Sequence, residues 1–172
     1  DIREFIEALE PADFKMKGGK RGTSDMSNIL DTIISQTDDD EVSIFVSDCI
    51  FSPGKKYKAK DNADEYIVAQ QIGIKNHIVE KLAKNPNFSI VVMRLTSQFN
   101  GIYYNKFDDR QPINNDRPFF MWLMGDKSFL NTILKKVELN QIKGKGVQNI
   151  FMISRPLTAI PVSYTHLRAH ET

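Results

Sequence analysis

Residues Glu41–Ser52 (EVSIFVSDCIFS) constrain the fold more than any other stretch of this 172-residue chain. The segment is apolar and rich in β-branched and aromatic residues up to Val46, and it then presents Ser47 and Asp48. Such a run, bounded by polar clusters, predicts a buried strand of a mostly parallel sheet. Because ligands bind at the carboxyl ends of strands in open α/β sheets, Asp48 is the first candidate for a functional residue.

The rest of the chain alternates between helical and strand patterns of apolar residues. Helices are predicted at Ile2–Leu9, after Asp25, at Ala63–Ala83 and at Ser128–Val137, and further strands at Ser89–Leu95, Pro118–Met124 and Val147–Ile153. Strands that alternate with helices predict a βαβ series. We therefore expect one domain over residues 1–160, with a three-layer α/β fold of Rossmann type: a mostly parallel sheet with helices on both faces.

Charge and composition exclude some classes of partner. The formal net charge of +1 provides no basic footprint for nucleic acid. No run reaches the roughly 18 consecutive apolar residues that a membrane-spanning helix requires. The one cysteine, Cys49, excludes an internal disulfide framework. None of these features assigns a compartment.

The end of the chain resembles a laboratory sequence. Residues Val162–Thr172 (VSYTHLRAHET) match one reading frame of the transposase adapter used in sequencing libraries. We therefore expect residues 161–172 to be a non-native tail and exclude them from the interpretation of the fold. His166 and His170, which would otherwise form a weak metal-binding pair at helical spacing, are excluded with it.

A glycine-rich turn precedes the helix that leads to the first predicted strand. The segment GGKRGTSD, residues 18–25, ends in hydroxyl and carboxylate side chains, and Ser24 or Asp25 can cap the helix that follows. The turn is not a phosphate-binding Walker loop, because the GxxxxGK spacing is missing.

Together, the two segments resemble the metal-ion-dependent adhesion site of the von Willebrand factor A (vWA) family. GGKRGTSDMSNIL is similar to the family's Gly-Gly-Thr turn and helix, and IFVSDCIFS to its apolar strand ending in Ser/Thr-Asp. The resemblance implies that Thr23 and Asp48 help to bind Mg²⁺ or Mn²⁺, a hard cation that prefers oxygen ligands. Ser24, Asp25 and Ser47 are candidates for a supporting shell around the metal.

The chain departs from the vWA pattern in two ways. The family's Asp-x-Ser-x-Ser loop is not found, and its expected position falls before Asp1, so we expect the first strand to be missing. Cys49 stands where the family usually has glycine. The resemblance implies a bacterial-type binding or scaffold domain that recognises a protein ligand through a divalent ion.

Two other functions stay open. One is a metal-dependent hydrolase on a different α/β fold, with Asp48 as a metal ligand and Asp25 or Asp108 as acid or base. The other is a structural α/β domain without a working metal site, in which Asp48 caps a turn and Thr23 caps a helix. We favour the binding domain over an enzyme. Cys49 is not a phosphatase nucleophile, because CIFSPGK places Lys55 where that loop requires arginine.

The segment from Thr96 to Arg117 is predicted as a long functional loop, with a β-hairpin as the alternative. It carries aromatic and arginine residues, which are favoured at the centres of protein interfaces. The residues expected to contact a protein partner, or else to pack the loop down, are Tyr103, Tyr104, Phe107 and Arg110.

Overall fold

The computed structural model of the protein describes residues 25–51, 60–105, 109–136 and 146–155. These residues form helices α1 (Met26–Gln36), α2 (Lys60–Lys84) and α3 (Lys127–Lys136). They also form strands β1 (Val42–Ser47), β2 (Phe88–Tyr104), β3 (Arg110–Asp126) and β4 (Val147–Ser154). The predicted helix Ile2–Leu9 and the glycine-rich turn up to residue 24 lie outside the described residues.

The sheet of the described residues is antiparallel throughout, so the prediction of a mostly parallel, Rossmann-type vWA-like sheet is wrong. The strand order is β1-β3-β2-β4, and each neighbouring pair runs antiparallel. β1 and β2 do run in the same direction, as a crossover through α2 implies, but β3 lies between them. Glu41–Ser52 therefore contributes an outer strand of the described sheet, with Ile44 and Val46 exposed, and not the buried strand that the sequence predicted.

The two faces of the sheet are covered by different helices. On one face, Leu30 and Ile34 of α1 and Ile78 of α2 form a core with Ile90 and Met124 of the sheet. We call this the α1/α2 face. On the other face, the α3 face, a second apolar cluster consists of buried residues Val91, Met93, Leu95, Leu123 and Leu130. The alternation of neighbouring residues between the two clusters follows from the two-residue period of a strand.

Helix α1 lies towards the β1 edge of the sheet, and α2 lies beside it. The Thr37 hydroxyl, which follows α1, donates to Ile33 O at 2.7 Å, and the distance between the Thr37 and Ser43 hydroxyl oxygens is 2.7 Å. The Ser27 N–H donates to the Gln70 side chain of α2 at 2.8 Å. These contacts connect the end of α1 to β1 and its start to α2.

Candidate functional site

Asp48 lies immediately after β1 and closes a tight turn. Its side chain is exposed, and its Oδ1 accepts a hydrogen bond from the Ile50 N–H at 3.2 Å. The Ser47 Oγ accepts a hydrogen bond from the Cys49 N–H at 3.0 Å. Both side chains therefore cap the local backbone, a common role for serine and aspartate in turns.

Cys49 adopts a backbone conformation that favours glycine. Its φ of 54° lies in the left-handed region, where a β-carbon costs about 1 kcal/mol or more. This is the position at which the vWA pattern has glycine. Burial raises the pKa of the Cys49 thiol, so the group is a neutral thiol at neutral pH.

Asp25 caps α1. Its Oδ1 accepts from the Asn28 N–H at 3.1 Å, and its Oδ2 accepts from the Asn28 side-chain amide at 2.7 Å. One aspartate thus satisfies an N-terminal amide that has no partner within the helix. Thr23 and Ser24 lie outside the described residues.

Asp25 and Asp48 are the carboxylates of the predicted metal site that lie within the described residues. Among them, no three His, Cys, Asp or Glu side chains converge on one point. Asp48 and Asp25 each accept hydrogen bonds from the backbone next to them. Metal binding by Thr23 and Asp48 therefore stays a prediction, since one of the two ligands falls outside the described ranges.

The second candidate region, Thr96–Arg117, is a β-hairpin and not a loop. β2 and β3 pair continuously from Phe88 and Asp126 to Tyr104 and Arg110. β1 pairs only with residues 120–125 of β3, and β4 only with residues 89–95 of β2. Within the described sheet, the nine pairs from Thr96–Pro118 to Tyr104–Arg110 therefore form a two-stranded extension, which we call the arm.

Hydrogen bonds close the far end of the arm. Asn105 N–H donates to Asp109 O at 3.2 Å, and Asp109 N–H donates to the Asn105 Oδ1 at 3.0 Å. The Asn105 side-chain amide also donates to the Asp109 carboxylate at 3.1 Å. These bonds fix the two ends of the connection through residues 106–108. Those three residues, including Phe107, lie outside the described residues.

The arm is curved towards the α3 face. Arg117 Cζ lies 4.3 Å from the ring centroid of Tyr103, although their rungs are six apart in the ladder. Six rungs of straight strand span about 20 Å, and the two side chains together reach only about 10 Å. The arm must therefore bend between them. Gly101 lies within this stretch, and a β-carbon there would be 2.9 Å from the ring of Phe99.

Large apolar side chains are exposed on both faces of the arm. Phe99, which points to the α3 face, is 38% exposed. Ile102 and Tyr104, which point to the α1/α2 face, are each 40% exposed. The Arg110 guanidinium lies 5.9 Å from the ring of Tyr104, its partner in the ladder. Exposed aromatic and arginine side chains of this kind are typical of protein contact surfaces.

The structure thus brings Tyr104 and Arg110 together, and it places the guanidinium of Arg117, a residue that the sequence had not singled out, over the ring of Tyr103. The period-two pattern Phe99, Gly101, Tyr103 is a signal for a strand on which these residues share a face. The dipeptide Asn100-Gly101 argued against a strand at this position, because Asn-Gly between apolar runs is typical of a hairpin turn. Here both residues lie inside β2.

The chain matches no protein-family model, no curated protein and no solved structure. Among the described residues, no helix is long and apolar enough to cross a membrane.

Proposed function

We propose that this chain is a protein-binding domain, and that the arm is its contact element. The observation that carries the proposal is the extension of β2 and β3 by nine pairs beyond both neighbouring strands. An isolated two-stranded hairpin is marginally stable in water, so a long arm with exposed apolar side chains gains from burial against a partner. Phe99, Ile102 and Tyr104 provide the apolar contacts.

The charge of the arm favours a protein over a nucleic acid. Residues 96–118 carry three basic side chains, Lys106, Arg110 and Arg117, and three acidic ones, Asp108, Asp109 and Asp116. A neutral arm releases no net counterions on binding a phosphate backbone, which is the main source of affinity for nucleic acids. Interface centres in proteins instead favour tyrosine and arginine.

The test uses the intact chain with a photo-cross-linking amino acid at position 102. The matched control carries the same amino acid in place of Glu80, an exposed residue of α2. In lysate of the source organism, we expect a cross-linked protein that is enriched at position 102 and not at position 80. That protein is then purified and its affinity measured by calorimetry.

The affinity of the purified partner decides the proposal. We expect replacement of Ile102 and Tyr104 by alanine to weaken binding at least about tenfold, since central apolar contacts cost more than 1 kcal/mol each. Ile29→Ala, which removes an apolar residue of α1 that is 38% exposed, is the control and should leave the affinity unchanged. Equal affinity of the arm variant and the native protein would contradict the proposal.

Metal-dependent recognition through Thr23 and Asp48 is a separate prediction. It requires the melting temperature to rise on addition of Mg²⁺, and the rise to be lost in the Thr23→Ala, Asp48→Ala double variant. Arm-mediated binding does not depend on this result. No observation among the described residues favours the hydrolase alternative.

A further inference from the structure

Two hydrogen bonds at the ends of the β2–β3 ladder define which backbone groups of the arm are paired inside it. At one end, the Lys127 N–H donates to Asn87 O at 2.8 Å, and at the other, the Asn105 N–H donates to Asp109 O at 3.2 Å. The register between these ends runs through consecutive pairs without a shift. Hydrogen-bonded and non-hydrogen-bonded pairs alternate in an antiparallel ladder. Odd-numbered residues of the two strands therefore bond to each other, and the N–H and C=O groups of even-numbered residues point outward.

Along β2, the outward-pointing backbone groups of the arm belong to Thr96, Gln98, Asn100, Ile102 and Tyr104. Closer to the helices, β2 pairs with β4 on this side, but that pairing ends at Leu95 and Val147. Gly146, which precedes β4, has a φ of 69°, far from the values of an extended strand. β4 therefore does not continue beside the arm. Within the described part of the chain, no strand pairs with the arm on this side, which we call the β2 edge.

The outer edge of β3 in the arm is protected against a further strand. Its outward-pointing positions are Arg110, Pro112, Asn114, Asp116 and Pro118. Proline has no N–H, so two of these positions cannot donate to another strand. Arg117 adds a third charge to Arg110 and Asp116. Proline and charge are the usual means by which natural sheets prevent the addition of strands at an edge.

The β2 edge lacks this protection. Its sequence, TSQFNGIYY over residues 96–104, contains no proline and no charged residue. Every outward-pointing position therefore keeps its N–H donor as well as its C=O acceptor. The two edges of the same hairpin thus differ in chemistry, and among the described residues only the β2 edge of the arm suits the addition of a strand.

Exposed apolar side chains accompany the β2 edge on both faces. Ile102 and Tyr104, whose backbone groups point to this edge, expose their side chains on the α1/α2 face, and Phe99 is exposed on the α3 face. A strand added here would place its own side chains beside these residues at a period of two. The edge therefore offers backbone hydrogen bonds and apolar contacts to one extended segment.

We propose that the arm binds an extended segment of its protein partner as an added strand on the β2 edge. This inference rests on the proposed function and specifies how the arm makes its contact. The bound segment carries β-branched or aromatic residues next to Ile102 and Tyr104, and it has no proline where its N–H faces β2. In this mode of recognition, main-chain hydrogen bonds provide affinity and alternate side chains provide specificity.

A second copy of the chain fits the β2 edge poorly. Antiparallel pairing of two such edges over their full length would be centred on Asn100. Gln98 of one copy would then lie opposite Ile102 of the other, and Thr96 opposite Tyr104. Directly opposed side chains are the main source of cross-strand stabilisation, and here each apolar side chain would face a polar one. A partner with a different sequence can place apolar residues at these positions.

The first experiment measures amide hydrogen exchange in the full chain by NMR over a range of concentrations. We expect the N–H groups of Gln98, Asn100 and Ile102 to exchange faster than those of Phe99 and Tyr103, which are bonded to β3. Protection of the first group at every concentration would mean that another segment of this chain covers the edge. Protection that increases with concentration would mean that a second copy covers it. Either result would overturn the proposal.

The second experiment measures the affinity of the purified partner that cross-links at position 102. Asn100 and Asn114 face each other in one rung, and replacement of either by proline removes an outward N–H from one edge only. Asn100→Pro should weaken binding at least about fivefold, because a carbonyl of the bound strand loses its donor. Asn114→Pro is the matched control and should leave the affinity unchanged, since β3 already contains proline at two equivalent positions.

A third measurement covers the case in which Asn100→Pro does not fold. Addition of the partner to the native protein should slow exchange at Gln98, Asn100 and Ile102. If these amides stay unprotected while replacement of Ile102 and Tyr104 by alanine weakens binding, the arm binds through side chains alone. The proposed function would then stand, and strand addition would be overturned. Equal affinity of the alanine variant and the native protein would contradict both.

Discussion

The guanidinium of Arg117 stacks on the ring of Tyr103, with Cζ 4.3 Å from the ring centroid. The two residues lie on the same face of the arm, six rungs apart, so their contact defines the curvature of the arm. A cation over an aromatic face contributes about 0.5–1 kcal/mol when it is exposed to solvent. The contact therefore both stabilises the arm and determines its shape.

We predict that Arg117 and Tyr103 are energetically coupled. In a double-mutant cycle of Arg117→Gln and Tyr103→Leu, urea unfolding should give a coupling of about 0.5–1 kcal/mol. Arg110→Gln with Tyr104→Leu is the matched pair, and its coupling should be smaller because the cation lies 5.9 Å from the ring. Additive effects at Arg117 and Tyr103 would contradict the prediction.

The sequence predicted the described elements well because their signals are local. The helix expected at Ala63–Ala83 is α2, Lys60–Lys84, and the strand expected at Val147–Ile153 is β4, Val147–Ser154. The period of apolar residues along a segment is enough to distinguish these states. The strands expected at Ser89–Leu95 and Pro118–Met124 are the inner halves of β2 and β3, which continue into the arm.

The direction and order of strands were not predictable in the same way. A helix between β1 and β2 implies that the two run in the same direction, which holds, but not that they are neighbours. The hairpin through Asn105 and Asp109 places β3 antiparallel beside β2, and β1 pairs with the other edge of β3. The choice between loop and hairpin for Thr96–Arg117 therefore decided the topology, and local composition left that choice open.

In the candidate site, too, the sequence predicts local contacts better than contacts between distant residues. The turn-capping alternative for Asp48 needs only the residues next to it, and the hydrogen bond from Ile50 N–H to its carboxylate matches it. The metal site needs Thr23 and Asp48 to meet in space, which the described residues do not test. The sequence did not indicate a role for Arg117, because its contact with Tyr103 depends on the curvature of the arm, which no local sequence pattern encodes.

Gly125 has no room for a side chain, and we predict that Gly125→Ala is strongly destabilising. A β-carbon there would collide with the carbonyl oxygen of Glu41, which is backbone and cannot turn away. We expect a loss of about 2–3 kcal/mol in the free energy of unfolding, as for overpacked cores. Gly101→Ala is the control, because its β-carbon would meet only the end of the Phe99 side chain. Equal losses in the two variants, measured by urea unfolding, would contradict the clash.

Substitutions of Cys49 measure the free-energy cost of its left-handed backbone conformation. Cys49→Gly and Cys49→Ala both remove the sulfur, but only glycine tolerates a φ of 54° without strain. We predict that the glycine variant is more stable than the alanine variant by about 1 kcal/mol. Ala63, which is buried in α2, should show the opposite preference. Ala63→Gly should be less stable than the native protein, since glycine weakens helices. Thermal melting of Cys49→Gly, Cys49→Ala, Ala63→Gly and the native protein provides the measurement, and a more stable alanine variant at position 49 would refute the prediction.

Asp126 caps α3, and its contribution to stability should depend on pH. Hydrogen bonds from the Ser128 hydroxyl and from the Phe129 and Ser128 N–H groups lower the pKa of this carboxylate. Because the folded pKa lies below the unfolded one, the contribution is present above the ordinary aspartate pKa of about 4 and is lost as the pH falls through the folded value.

We therefore predict that Asp126→Ala lowers the free energy of unfolding by about 1 kcal/mol at neutral pH, the usual effect of losing an N-cap. The difference from the native protein should shrink as the pH falls below about 4, where the carboxylate takes up a proton. Asp126→Asn keeps an uncharged acceptor, so its stability relative to Asp126→Ala should not change over this range. Urea unfolding from pH 7 down to the acid limit of folding measures all three proteins. A constant difference between native and Asp126→Ala would show that the charge of Asp126 does not contribute to the cap.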